Sequence, residues 1–389
     1  MRKKALLFII SVIVIIFNTL VIFNPTIVMG AARAGALLWF NNVLPSLLPF
    51  MVGTNILLRL GAVDFLGKLL EPVMRPLFGV SGKGAFALAM GAASGYPIGA
   101  QICANMRENE QISQTEAQRL LSFVNNSGPL FMIGAIGAGM FGNERIGYFI
   151  LTSNLAGAVL TGMLFKFYKR KDEKGDLLKK RNALIKPAKS RPFGKILSES
   201  VFKSLESLLQ IAGFIMLFSV LLKILETIGL IGLGAGLLYD LGIPGGREII
   251  EPAIYGFIEI TNGANSLASL GAERNVIILC AALVAFGGMS IFSQSIAFLS
   301  KTDINPLIYF LSKLLNAVLT AAAGLLIFPL FDFEISHLEG IVPVFAGGPV
   351  SSLLLSTIIC AMMLLIILIT YFAVNIGCYI KKFKTPAKS

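Results

Sequence analysis

Apolar segments of bilayer length are interrupted at four places by polar stretches carrying glycine or proline: Ser94-Gly95-Tyr96-Pro97-Ile98-Gly99, Asn125-Asn126-Ser127-Gly128-Pro129, Glu259-Ile260-Thr261-Asn262-Gly263 and Gly287-Gly288-Met289-Ser290. Backbone that leaves the helix inside a bilayer strands N–H and C=O groups, and is tolerated only against protein or a watery cavity. The four interruptions are therefore the first candidates for a functional site.

A chain of 389 residues that is 56% hydrophobic and only 14% charged has more apolar surface than one soluble core can absorb, so it reads as an all-α polytopic membrane protein. Apolar spans are expected at 5 to 23, 35 to 60, 147 to 165, 208 to 230, 305 to 330 and 353 to 380. Between them, 82 to 104 and 252 to 270 read as re-entrant hairpins, and 114 to 141 and 274 to 299 as spans broken in the middle. The first apolar run follows Arg2-Lys3-Lys4. Its length favours an uncleaved span over a signal peptide, although Met29-Gly30-Ala31-Ala32 offers small residues for cleavage.

Charge is placed as topology demands. Lys166 to Lys195 holds twelve Lys/Arg against Asp172, Glu173 and Asp176, a local balance of +9 within a net +12. Together with Arg2-Lys3-Lys4 and the basic tail Lys381, Lys382, Lys384 and Lys388, this loop predicts that both termini and residues 166 to 199 are cytoplasmic, with the bilayer and its anionic headgroups as partner. Nucleic acid is disfavoured, because the loop has no aromatic residues interleaved with the basic ones beyond Phe167, Tyr168 and Phe193. Cys103, Cys280, Cys360 and Cys378 are scattered through apolar segments and read as reduced packing residues.

Val63 to Phe78 predicts an amphipathic interfacial helix, with Asp64, Lys68, Glu71 and Arg75 on one side and Phe65, Leu66, Leu69, Leu70 and Val73 on the other. Ser113 and Glu116 predict a capping box ahead of Ala117, Leu120, Leu121 and Val124.

Two internal similarities suggest a repeat. Leu70-Glu71-Pro72-Val73 has a counterpart in Ile250-Glu251-Pro252-Ala253, and Tyr148-Phe149 with Ala158-Val159-Leu160-Thr161 resembles Tyr309-Phe310 with Ala317-Val318-Leu319-Thr320. The expected organisation is an N-terminal helix over 1–30, a first repeat over 35–165, the basic loop 166–199, a second repeat over 200–330, and over 331–389 an external loop, a last transmembrane helix and the tail. Each repeat crosses an odd number of times under this topology, so the two are inverted, an arrangement that places a site at their midplane interface.

The breaks carry the chemistry. Ser127 is expected to cap a half-helix with Pro129 in its first turn, offering N–H groups to an anion, with the amides of Asn125 and Asn126 beside them. The structural alternative is a Pro-kinked helix whose Asn side chains satisfy freed carbonyls. Gly95, Tyr96 and Pro97 would form the first hairpin tip, with Tyr96 stacking on a planar ligand or donating its hydroxyl, or else simply turning the chain. Glu259 is expected to be protonated, paired or cation-bound: a coupling site, or a gate latch to Arg119 or Arg107, with a purely structural ion pair as the alternative. Thr261, Asn262, Gly263, Ser290, Ser293 and Gln294 would line the site from the second half. Asp332, Glu334, His337 and Glu339 form an acidic cluster that reads as solvated rather than metal-binding. His337 is the only histidine, which argues against a triad or a His-rich zinc site, so neither metal nor cofactor is implied.

Gly95-Tyr96-Pro97-Ile98-Gly99-Ala100, Thr115-Glu116-Ala117-Gln118-Arg119-Leu120-Leu121-Ser122-Phe123, Asn125-Asn126-Ser127-Gly128-Pro129-Leu130-Phe131 and Glu259-Ile260-Thr261-Asn262-Gly263 together resemble the sporulation integral membrane protein YlbJ (SpoVV) family. That family belongs to a wider group with the nucleoside-recognition Gate domain, similar to the concentrative nucleoside transporters. The resemblance implies a carrier of dipicolinic acid across the outer forespore membrane, or otherwise the cell membrane. A small flat dianion suits half-helix N-termini, Asn amides and a stacking Tyr, whereas Glu259 would repel it unless protonated or bridged by a cation. The alternatives are a nucleoside transporter and a non-transporting scaffold for spore envelope assembly. An enzyme comes last, because no nucleophile and base pair can be assembled. A homo-oligomer is compatible with all of these.

Overall fold

The computed structural model describes residues 2–40, 44–60, 62–169, 192–243 and 245–331. Most of the basic loop, the acidic cluster with His337, Cys360, Cys378, the expected last span and the tail lie outside the described residues. Within them the chain is helical, with no strand.

The first half runs α1 (Arg2–Phe23), α2 (Pro25–Leu38), α3 (Leu44–Arg59), α4 (Ala62–Phe78), α5 (Gly84–Ser94), α6 (Ile98–Glu108), α7 (Gln114–Val124), a π-helix (Leu130–Met140) and α8 (Glu144–Phe165). The second runs α9 (Phe193–Thr227), α10 (Leu230–Asp240), α11 (Gly246–Ile258), α12 (Ile260–Ala268), α13 (Arg274–Phe286), α14 (Gly288–Leu299) and α15 (Pro306–Ile327). Among the described residues four stretches are long and apolar enough to cross a membrane: α8, α9, Arg274–Leu299 and Pro306–Leu330; α1 and α2, bent by 101° at Asn24, add a fifth if they form one span. The chain is an integral membrane protein. The described residues of the apolar stretch 35 to 60 fall in the end of α2 and in α3.

One order of elements occurs twice: two helices, a helical hairpin, a broken helix and a closing helix. It runs from α3 to α8, and again from α9 to α15. The hairpin tips Tyr96 and Glu259, the breaks Asn126 and Gly287, and Thr161 and Thr320 in the closing helices stand at nearly the same separation along the chain. The Glu-Pro pairs do not follow this register. Pro72 lies inside α4, before the first hairpin, whereas Pro252 lies inside α11, the first arm of the second. That similarity is therefore fortuitous; the one between α8 and α15 falls on corresponding helices.

Local sequence explains the boundaries. Ser113 and Glu116 form the capping box that starts α7. Asn143 caps α8, and Asn305 caps α15 with Pro306 in its first turn. α13 ends where Gly287 takes a left-handed φ of +91°. In α4, Leu70, Val73, Met74 and Phe78 are buried while Leu69 and Arg75 face outward, so the expected amphipathic helix has one packed face.

α8 and α15 pack face to face. A Cβ on Gly157 would stand 2.1 Å from Thr320 Oγ1, and Thr161 Oγ1 lies 3.4 Å from Asn316 Oδ1. Small residues let helix backbones approach this closely, which is how helices associate where lipid removes the hydrophobic drive. Phe78 and Phe123 stack at 4.5 Å on the far side of α7, and buried aliphatic residues of α8, α13 and the π-helix form a second core.

Candidate functional site

Each hairpin tip rests against the break of its own half. At Gly95, φ is +81° and a Cβ would stand 2.4 Å from Gly128 N, so the first tip meets the first break through bare backbone. Gly288 likewise faces the carbonyls of Gly256 and Ile258 on the second hairpin. Tyr96 then crosses between halves: its hydroxyl donates to the carbonyl of Ala285 at 2.8 Å, one turn before the second break.

The first break is bound by α14 and α15. Asn125 Nδ2 donates to Tyr309 Oη at 2.6 Å and to Ser295 Oγ at 3.0 Å, and its Oδ1 accepts from Ala100 N at 3.1 Å. Asn126 Oδ1 accepts from Lys313 Nζ at 3.1 Å and from Asn316 Nδ2 at 3.0 Å, while its Nδ2 donates to the carbonyl of Phe123 at 2.6 Å. Lys313 Nζ also donates to the carbonyl of Asn125 at 2.9 Å and stands 5.0 Å from the centre of the Tyr96 ring. Asn316 reaches the second break too, donating to Ala285 O at 3.3 Å. The Asn side chains thus do satisfy freed backbone groups, and they also hold four residues from the other half, Ser295, Tyr309, Lys313 and Asn316.

Lys313 is 1% exposed and makes no ion pair with any described carboxylate. A cationic side chain in the middle of an apolar helix, paired only with neutral oxygens, is costly to retain without a charged partner. Sequence reasoning passed over it because it lies in an unbroken span; the available signal was one ionisable residue in an otherwise apolar helix.

The remaining candidates divide. Ser290 and Gln294 are buried on α14 and hydrogen-bond each other at 3.3 Å; Ser293, next to them, is half-buried. Gly263 closes the second hairpin, where a Cβ would stand 2.1 Å from Gly256 Cα. Thr261 is half-buried and Asn262 exposed. Ser127 is buried but does not cap: the helix after the break starts at Pro129 with no side-chain cap and winds as a π-helix, a rare form that is frequent at functional sites. The reason is that Gly128 O already accepts from both Phe131 N and Met132 N, so the first turn is satisfied by backbone.

Glu259 is half-buried at the second hairpin tip and caps α12. Its carboxylate accepts from Thr261 N at 3.1 Å and from Asn262 N and Nδ2 at 2.8 and 2.9 Å. Neither arginine latches it. Arg119 is fully buried with its guanidinium on the carbonyls of Tyr168 and Gly79, bracing the end of α8 against the end of α4. Arg107 grips Asp303 in a two-pronged pair, both contacts at 2.7 Å. Cys103 and Cys280 are buried free thiols.

The nucleoside-recognition (Gate) family matches residues 40–144, the segment that carries the first hairpin, the first break and the π-helix. Over 335 residues, 80% of this chain and 80% of the relative, the sequence is 37% identical to the sporulation integral membrane protein YlbJ of Bacillus subtilis (strain 168). The chain belongs to the YlbJ family. No solved structure matches it. In this YlbJ-family chain the Gate segment ends at Glu144, the first residue of α8, so Lys313 and Asn316 meet it from outside the matched region.

Proposed function

We propose that this YlbJ-family chain is a carrier of a small aromatic dicarboxylate, dipicolinate, acting during sporulation at the outer forespore membrane with both termini cytoplasmic. Its two halves act as inverted repeats, similar to the concentrative nucleoside transporters, and expose a midplane site alternately to either side. Asn125, Asn126, Lys313 and Tyr96 form the core of that site. Opening it frees the Lys313 ammonium from the peptide of the first break for a substrate carboxylate, while Tyr96 offers its ring to a flat ligand.

The observation that carries the reading is the buried Lys313 without a carboxylate partner, placed between a broken helix and an aromatic ring. An anionic substrate supplies the missing charge. The test is direct binding of dipicolinate and of uridine to the purified protein, with Lys313→Met alongside. Dipicolinate should bind and the variant should lose it; dipicolinate binding unchanged in Lys313→Met sinks the proposal.

The Gate match favours a second reading, a nucleoside carrier on the same scaffold. It predicts uridine binding that is indifferent to Lys313, since a nucleoside carries no carboxylate.

A further inference from the structure

α8 and α15 share a nine-residue stretch. Ser153 to Thr161 reads SNLAGAVLT and Ser312 to Thr320 reads SKLLNAVLT, identical at the Ser, at the first Leu and through Ala-Val-Leu-Thr. The register matches the contacts. Gly157 corresponds to Asn316 and Thr161 to Thr320, and the observed pairs Gly157 with Thr320 and Thr161 with Asn316 exchange when the two helices are swapped. Reciprocal contact of this kind is what a local two-fold axis produces.

In that register Lys313 corresponds to Asn154. Both are buried, but they are satisfied differently. Lys313 Nζ is bound by Asn125 O and Asn126 Oδ1. Among the described residues Asn154, fully buried, has no partner for either Oδ1 or Nδ2, and the buried hydroxyls of Ser153 and Thr320 also lack one. Gly324, one turn beyond Thr320 on α15, puts no side chain between the helices here; even a Cβ would come no closer than 3.3 Å to Phe149 and 3.5 Å to Ser153 Oγ. Three buried side chains on the packed pair α8 and α15 with unmet hydrogen-bonding capacity, Ser153 facing Gly324 and Thr320 facing Gly157, each cost on the order of 1–3 kcal/mol, so the arrangement calls for an occupant.

We infer that Ser153, Asn154 and Thr320 form a site for a small monovalent cation of the sodium class, the counterpart across the local two-fold of the Lys313 ammonium. Asparagine is shorter than lysine, so the first half lacks the tethered cation that the second half carries, and it offers neutral oxygens in its place. Ser153 Oγ, Asn154 Oδ1 and Thr320 Oγ1 are hard donors without a formal charge, a set that suits a singly charged ion and holds a divalent one poorly. With Lys313 the bound ion supplies two positive charges, the complement of a dicarboxylate. Only this charge balance rests on the proposed substrate; the site itself does not.

The test is thermal unfolding of the purified protein without dipicolinate, in sodium, potassium, lithium or N-methylglucamine chloride at equal ionic strength. An alkali ion should raise the midpoint saturably above the N-methylglucamine value, since a ligand that binds only the folded state stabilises it. Thr320→Val and Ser153→Ala should each raise the half-saturating concentration at least tenfold, and Asn154→Lys, which tethers an ammonium, should abolish the ion response. Identical midpoints in all four salts, as water filling the site would give, overturn the inference. So does a shift that Thr320→Val and Ser153→Ala leave untouched. Dipicolinate binding measured on the same samples separates the two ideas: binding without an ion response removes the cation site alone, and an ion response without binding removes the substrate reading alone.

Discussion

Lys313 on the closing helix of the second half stands 3.1 Å from Asn126 Oδ1 at the break of the first. One side chain therefore ties the two halves together at the point where the backbone leaves the helix. The same Nζ takes the carbonyl of Asn125, so a group freed by the break is satisfied by the other half rather than by its own. On the proposed function, a ligand that competes for this lysine would loosen the contact between halves as it binds.

Replacing Lys313 separates a structural role from a charge role. Lys313→Met keeps the length and fills the same space; it removes a buried cation that has no carboxylate partner among the described residues, while Asn126 Oδ1 keeps Asn316 as donor and only the carbonyl of Asn125 loses one. The expected outcome is an unfolding midpoint unchanged or higher, with dipicolinate uptake into sporulating cells down at least tenfold. A midpoint that falls by several degrees with uptake preserved would show a strut rather than a binding group.

The meeting of tip and break is equally specific. Gly95→Ala introduces a Cβ 2.4 Å from Gly128 N at a φ of +81°, and should lower stability by about 1–3 kcal/mol or more. Gly53→Ala, inside α3 with nothing within 4 Å of the added atom, should instead raise it by about 0.4–1 kcal/mol. Unfolding of the two variants side by side checks the sign.

How legible these features are in sequence depends on whether the signal is local. Gly95 with Pro97, and Gly287 with Gly288, announce a turn at membrane depth, and the hairpins and breaks lie where those residues put them. Ser113 with Glu116 is a local signal as well, and its capping box forms. Arg119 is not legible: its partners are carbonyls at residues 79 and 168, which only tertiary packing brings to it. Glu259 is intermediate. Its isolation among apolar residues suggests a distant charge partner, yet its carboxylate is satisfied within three residues by the helix it caps. Asn154 and Lys313 align in the register that Ala158 to Thr161 and Ala317 to Thr320 already set, but only packing shows that one is partnered and the other, among the described residues, is not.

At the solvent-exposed joint between halves, the Arg107 hydrogen bond and charge hold the Asp303 carboxyl below its usual range. A depressed carboxyl contributes stability that is present above the unfolded value, about 3.9, and is lost as pH falls through the folded one. Asp303 is half exposed, so the pair contributes under about 1 kcal/mol. Asp303→Asn should unfold slightly earlier than the parent near neutral pH, with the gap closing as the pH drops below about 3.9. Unfolding midpoints across that range decide it; a gap that is constant with pH contradicts the pairing.

Asn126 and Ser127 are neighbours with unequal consequences. Asn126→Ala removes the acceptor of Lys313 and Asn316 and the donor to Phe123 O, leaving buried groups unsatisfied at a cost of about 1–3 kcal/mol, and it should abolish uptake. Ser127→Ala removes no cap, so stability should move by less than about 0.5 kcal/mol with uptake retained. Asn126→Asp is the sharper probe. It keeps the shape and gives Lys313 a carboxylate in exchange for the hydrogen bond to Phe123 O, so the protein should unfold later than Asn126→Ala while a dicarboxylate is excluded by the charge already in its place. Uptake and unfolding measured together on the three variants check this, and an Asn126→Asp protein that still accumulates dipicolinate would mean that the anion binds elsewhere.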